Sequence, residues 1–135
     1  MTPIVSLITV TFNRRHLLPR LIRSIQSQSL KNFEWIIVDD GSTDGTAEYV
    51  LSLKDERIRL IRQPNMGCNA ARNRAEEEIS SNLVIHIDSD DEFFSTETIA
   101  RMVTRIQSTP SSVGAVAFTV VTPEGGGGAS VIGSE

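Results

Sequence analysis

Phe33-Glu34-Trp35-Ile36-Ile37-Val38-Asp39-Asp40-Gly41-Ser42-Thr43-Asp44-Gly45-Thr46 decides the fold. Its first six residues are apolar, β-branched or aromatic at nearly every position and predict a buried strand. The next eight carry turn chemistry and lead into a helix start. The pattern recurs downstream, where Leu83 to Ile87 is an apolar run predicting a buried strand that ends abruptly in Asp88-Ser89-Asp90-Asp91. In an open parallel sheet, ligands collect at the carboxyl ends of the strands near a point where strand order reverses. Two apolar strands that both end in aspartates are what such a site needs.

The remaining segments fit the same scheme. Ile4 to Val10 reads as a first strand and Thr11-Phe12-Asn13 as the turn after it. Leu17, Leu18, Leu21, Ile22 and Ile25 then recur with helical spacing, and Pro19 belongs in the first turn, where its missing N–H costs little. Thr46 to Leu53 predicts a short helix, Ile58 to Ile61 a strand, Gln63 to Gly67 a loop, and Ala70 to Ile79 a helix. Thr96 to Gln107 predicts another helix and Val113 to Val121 a further strand. Regular alternation at this spacing implies an α/β fold: a doubly wound, mostly parallel sheet with helices on both faces.

The carboxylates of Asp88, Asp90 and Asp91 repel one another at a sheet edge, and a divalent cation among them relieves that repulsion. Oxygen-only ligands favour a hard cation such as Mg²⁺ or Mn²⁺, which commonly bridges one or two carboxylates to substrate phosphates. The plain alternative is an acidic turn that solvates a strand end and caps the next helix. A calcium loop opening at Asp40 is excluded, because its twelfth position is Leu51 rather than a bidentate Glu.

Composition narrows the class. With 135 residues, the chain predicts one domain over residues 1–135 with its own core. A net charge of −4 gives no electrostatic case for a nucleic-acid partner. The lone Cys68 rules out an internal disulfide and fits a reducing compartment. The Met1-Thr2-Pro3-Ile4 start lacks signal-peptide features, and no apolar run approaches the roughly 20 residues that span a bilayer; the expected location is cytoplasmic. The dinucleotide fingerprint G-x-G-x-x-G, the phosphate-loop pattern and zinc spacing are all missing. These negatives leave metal-assisted diphosphate chemistry. Residues 123–130 predict a glycine-rich loop or linker. Only Val131-Ile132 follows as an apolar step, so the chain is expected to be part of a longer polypeptide.

Val5-Ser6-Leu7-Ile8-Thr9-Val10-Thr11-Phe12-Asn13-Arg14, Ile37 to Asp44, Asn65-Met66-Gly67 with Ala71-Arg72-Asn73, and Asp88-Ser89-Asp90-Asp91 stand in one order. Over residues 3 to 107 the chain thereby resembles the family 2 glycosyltransferases, which have the GT-A (Rossmann-like) fold and use nucleotide-diphosphate sugars. The resemblance implies a base pocket at Thr11 and Phe12, with Asp39 accepting a hydrogen bond from the base, favouring a UDP-sugar. It implies Asp88 at ribose or metal, Asp90 as the ligand to Mn²⁺ or Mg²⁺, and Asp91 at the donor sugar. Arg72 is implied either at the diphosphate or in an ion pair with an acidic loop. The activity implied is inverting transfer to a glycan or lipid-linked acceptor. The family's general base lies in an acidic motif well beyond Asp-x-Asp, and no such motif follows Glu97, so the catalytic base is unassigned and the acceptor half is expected to be missing.

Bland readings stand beside each of these. Asp39 or Asp40 as a helix cap, Phe12 as core packing, Asn65 and Gly67 as turn formers, and His86 as a packed core histidine all fit the sequence. The arginines of the first helix read as a solvated face, or as a membrane-interfacial one if the protein sits at the inner face of a membrane. A non-catalytic nucleotide-sugar or metal-binding module is the alternative to an enzyme. A sugar-phosphate nucleotidyltransferase would need a glycine-rich loop where Thr11-Phe12-Asn13-Arg14 stands.

Overall fold

The computed structural model describes residues 2–116 together with the backbone of residues 120–121 and 127–128. Strands β1 (Val5–Thr11), β2 (Phe33–Asp39), β3 (Ile58–Arg62) and β4 (Val84–His86) form one parallel sheet in the order β3-β2-β1-β4. Helices α1 (Leu18–Gln26), α2 (Thr46–Ser52) and α3 (Cys68–Glu76) connect them, and α4 (Thr98–Gln107) follows β4. The chain steps outward from β1 to β3, then crosses back to lay β4 on the other side of β1. Strand order therefore reverses between β1 and β4, which opens a crevice at their carboxyl ends.

The two-residue side-chain period of the central strands divides the core in two. Val5 and Leu7 of β1 and Phe33, Trp35 and Ile37 of β2 pack with Leu18, Leu21, Ile22, Ile25, Val50, Ile99 and Val103, so α1, α2 and α4 cover one face. Ile8, Ile36 and Val38 point the other way, onto Ala71 and Ala75 of α3. Burying Trp35 requires a partner for its indole N–H, and the Thr9 hydroxyl supplies one at 3.0 Å. Gln28 is also buried: its amide N–H donates to the carbonyls of Ser24 and Ser95, and its Oε1 accepts the Ile99 N–H at 3.0 Å. That side chain ties the start of α4 to the end of α1.

Three expectations need correction. β4 is shorter than predicted and, among the described residues, pairs only with β1; its Val84 and His86 are exposed, so it is an edge strand rather than a buried one. His86 is accordingly no core histidine and lies 3.8 Å from the exposed Glu76 of α3. The strand expected over Val113–Val121 does not form at 113–116; Val120–Val121 instead pairs antiparallel with Gly127–Gly128 in a separate ladder. Apart from those four residues, the glycine-rich stretch 123–130 and Val131-Ile132 lie outside the described residues. No helix among the described residues is long and apolar enough to cross a membrane.

Gly41 and Gly45 both adopt φ +86°, in the left-handed region that favours glycine. A Cβ on Gly41 would also stand 2.9 Å from the Asn65 backbone nitrogen, whereas one on Gly45 meets nothing. We predict that Gly45→Ala costs about 1 kcal/mol through backbone strain alone. Gly41→Ala should cost about 2–3 kcal/mol, since the clash adds to the strain. Urea midpoints of the two variants check this; equal losses would mean that the Asn65 loop yields without resistance.

Candidate functional site

A cleft of about 330 Å³ opens at the carboxyl edge of the sheet. Val10, Phe12 and Arg14 line it from the end of β1 and the turn beyond, and Asp40 from the end of β2. Asn65, Gly67 and Cys68 line it from the β3–α3 connection, and Ser89 from the loop after β4. This is the reversal point of the strand order. Phe12 is 44% exposed, so its ring belongs to the cleft and not to the core.

Strand parity separates the two adjacent aspartates. Asp39 continues the Trp35–Ile37 face and is fully buried on the α1/α2 side, in register with Thr11 of β1 and Arg62 of β3. Thr11 and Asp39 are not among the residues that line this cleft; both are buried at the ends of β1 and β2 beside it. The Asp39 carboxylate accepts the Ser42 N–H at 3.1 Å through Oδ1, while Oδ2 has no hydrogen-bond partner and lies 3.7 Å from the Arg62 guanidinium. The buried Thr11 hydroxyl is likewise unpartnered. Asp40 continues the Ile36–Val38 face and reaches the cleft. Its carboxylate accepts the Gln63 side-chain N–H at 2.8 Å and the backbone N–H groups of Met66 at 2.9 Å and Gly67 at 3.0 Å. Burial alone would raise its pKa, but these three donors hold it below the ordinary carboxylate range. Neither aspartate caps α2; Asp44 does, accepting from the Thr46 N–H at 3.1 Å and from its hydroxyl.

Beyond β4, the Ile87 N–H donates to the Ile8 carbonyl at 3.0 Å, which fixes where the acidic loop departs. The Asp91 N–H closes a turn onto the Asp88 carbonyl at 3.1 Å. Carboxylate oxygens of Asp88, Asp90 and Asp91 thereby lie within 4.8 Å of one another, all on exposed side chains. Asp91 has a raised pKa, first through partial burial and then through the negative charges of Asp90 and Asp88. The Arg72 guanidinium approaches Asp88 at 3.7 Å across solvent. Three clustered oxygen donors with so little positive charge among them fit a hard divalent cation.

The structure thus brings Phe12 to the cleft, gathers Asp88, Asp90 and Asp91 on one loop, and sets Arg72 against Asp88. Asp40, Arg14, Cys68 and Ser89 were missed as cleft residues. Counting strand parity forward from Trp35 would have added Asp40 to the cleft residues. Arg14 was hidden because it precedes the helix whose solvated face it seemed to extend.

The sequence model described as glycosyl transferase family 2 matches residues 6–130. The chain belongs to that family. The GalNAc(5)-diNAcBac-PP-undecaprenol beta-1,3-glucosyltransferase of Campylobacter jejuni is 39% identical over 97 residues, 69% of this chain and 31% of that protein. A mannosyltransferase of Pyrobaculum calidifontis, solved with GDP-Man and Mn²⁺, superposes with a TM-score of 0.80 at 26% identity, over 92% of this chain and 37% of that one. S. aureus TarS 1-349 with UDP-GlcNAc gives 0.72 at 28% identity, over 79% and 31%. The family 2 chain therefore spans about a third of the length of these relatives, and its sheet and helices are those of the GT-A fold.

The raised pKa of Asp91 yields a pH test. An acid whose folded pKa lies above its unfolded value of 3.8 costs no stability below that pH and its full cost above the folded value. Without divalent cations, Asp91→Asn should therefore be more stable than wild type at pH 7, by roughly 0.2–1 kcal/mol for so exposed a group. The gain should vanish by about pH 3.5. Thermal midpoints in EDTA across that range check it.

Proposed function

We propose that this chain is the donor-binding portion of a glycosyltransferase that uses a nucleotide-diphosphate sugar with a divalent cation. The observation that carries the reading is the juxtaposition, at one strand-order reversal, of an exposed aromatic ring, a buried carboxylate and a three-carboxylate cluster. Phe12 offers a face on which a nucleobase stacks. Asp39, whose buried Oδ2 has no hydrogen-bond partner among the described residues, would accept an imide N–H of the base, which favours uracil. The Thr11 hydroxyl, buried and likewise unpartnered, would complete the base pocket, while Asp40 holds the β3–α3 connection at the cleft. Asp88 and Asp90 would hold Mn²⁺ or Mg²⁺, with Asp91 turned toward the donor sugar and Arg72 beside the diphosphate.

A divalent cation held there would neutralise charge on the departing nucleoside diphosphate. Arg72 supplies fixed positive charge on the same side. The acceptor hydroxyl would attack from the face opposite the diphosphate, with inversion. No described residue is assigned as the base for that step. A glycan or lipid-linked acceptor is favoured by the name of the undecaprenol-linked relative, and it would place the protein at the cytoplasmic face of a membrane. Binding without turnover remains the second reading, supported by the chain's span of about a third of its relatives.

UDP at a hundred times its Kd should stabilise the protein by about 2.7 kcal/mol. The thermal shift should appear with Mn²⁺, shrink in EDTA and be lost in Asp90→Ala. Phe12→Ala should weaken UDP about tenfold at unchanged metal dependence, because stacking on an aromatic ring is worth roughly 1–3 kcal/mol. A shift equal in wild type and Asp90→Ala would refute the metal assignment.

A further inference from the structure

β3 ends the sheet on the side away from β4, and among the described residues only β2 pairs with it. The Trp35 N–H donates to the Arg57 carbonyl at 2.8 Å, and the Gln63 N–H to the Asp39 carbonyl at 3.0 Å. Alternation along a parallel ladder therefore turns the backbone groups of Arg59 and Ile61 toward β2 and those of Ile58, Leu60 and Arg62 outward. Of these, the Ile58 N–H closes a turn onto the Asp55 carbonyl at 3.0 Å; the others have no backbone partner among the described residues. The strand carries no proline and no bulge of the kind that blunts an edge.

Beside this edge lies an apolar groove of about 170 Å³ between α2 and β3, lined by Val50, Leu51, Lys54, Asp55, Ile58 and Leu60. Leu51 stands on its rim at 63% exposure. Because α2 starts over the carboxyl end of the sheet and runs back along β3, charge is ordered along the edge. The exposed Glu48 lies 3.6 Å from Arg62 at the carboxyl end, and the exposed Lys54 follows the helix at the amino end. Arg59, on the opposite face, is held by Glu78 at 2.9 Å.

We propose that β3 and α2 form a docking surface for a second copy of this chain, joined antiparallel about a twofold axis at Leu60. Pairing about that centre sets Leu60 against Leu60 and Ile58 against Arg62, the residues whose backbone groups point outward. A reversed copy also brings Glu48 of each chain opposite Lys54 of the other, twice by symmetry. A copy in the same orientation would set Glu48 beside Glu48 and Lys54 beside Lys54, so the order of charge selects the antiparallel arrangement. The two grooves meet at the axis, where the Leu51 side chains leave water.

Sedimentation equilibrium of the whole chain measures the association. The wild type should dimerise, and high salt should weaken the dimer. Glu48→Lys and Lys54→Glu should each raise the dissociation constant about tenfold, since either change makes both pairs repulsive. Mixing the two variants should restore association to the wild-type level, because each then presents the charge that the other lacks. The double variant Glu48→Lys/Lys54→Glu should self-associate like wild type. Leu51→Asp, at a position already in water, should weaken the dimer even where a charge variant fails to fold, which urea midpoints reveal. A wild type that stays monomeric to ~1 mM overturns the surface. So does a dimer that Leu51→Asp and both charge variants leave intact, or a mixture that associates no more tightly than its components.

Discussion

The carboxylate of Asp40 accepts three N–H groups from the β3–α3 connection while its backbone N–H donates to the Thr11 carbonyl at 2.9 Å. One residue thus joins the ends of β1 and β2 to the loop that starts α3. The cleft exists because that loop is held away from the sheet edge yet cannot drift from it. Gly41 makes the arrangement possible, since only a residue without Cβ lets the Asn65 backbone come so near. A buried carboxylate left without these donors would be a costly unpaired charge. The same hydrogen bonds that shape the cleft therefore also keep its floor ionised, and geometry and electrostatics there have a single origin.

Most of the fold was legible because parallel sheets covered on both faces need continuous apolar strands, and β1 and β2 are such runs. Their two-residue period also contained the division of the core, with Trp35 and Ile37 on one side and Ile36 and Val38 on the other. The same period, carried two residues further, separates Asp39 from Asp40 and sends their carboxylates to different surroundings. β4 was harder, because an apolar run looks alike in a central strand and at an edge. Which neighbour a strand has is a tertiary fact, and with β4 paired only to β1 among the described residues, His86 is exposed rather than buried. Residues 113–116 stay outside any strand, while Val120–Val121 finds its partner in Gly127–Gly128, a pairing that propensity alone does not specify.

The acidic loop was the clearest signal and the site's least self-sufficient part. Asp88, Asp90 and Asp91 lie close together, and among the described residues only Arg72 forms an ion pair with them, at 3.7 Å to Asp88 between two exposed side chains. Exposed pairs of this kind contribute about 0–1 kcal/mol, so the Arg72 contact neither offsets the mutual repulsion nor locks the loop. Weak pairing is suited to exchange, because a cation held by the cluster would release Arg72 toward the phosphates of the proposed donor at little cost. Arg57 and Asp55 show the contrast: a half-buried fork at 2.8 Å that pulls the Asp55 pKa down to about 2, first through the Arg57 side-chain hydrogen bond. Where the chain needs a fixed ion pair it builds one. At the edge of the cleft it leaves charge unsatisfied on both sides, negative on the loop after β4 and positive at Arg14. A ligand that carries two phosphates and brings a divalent cation meets both demands at once.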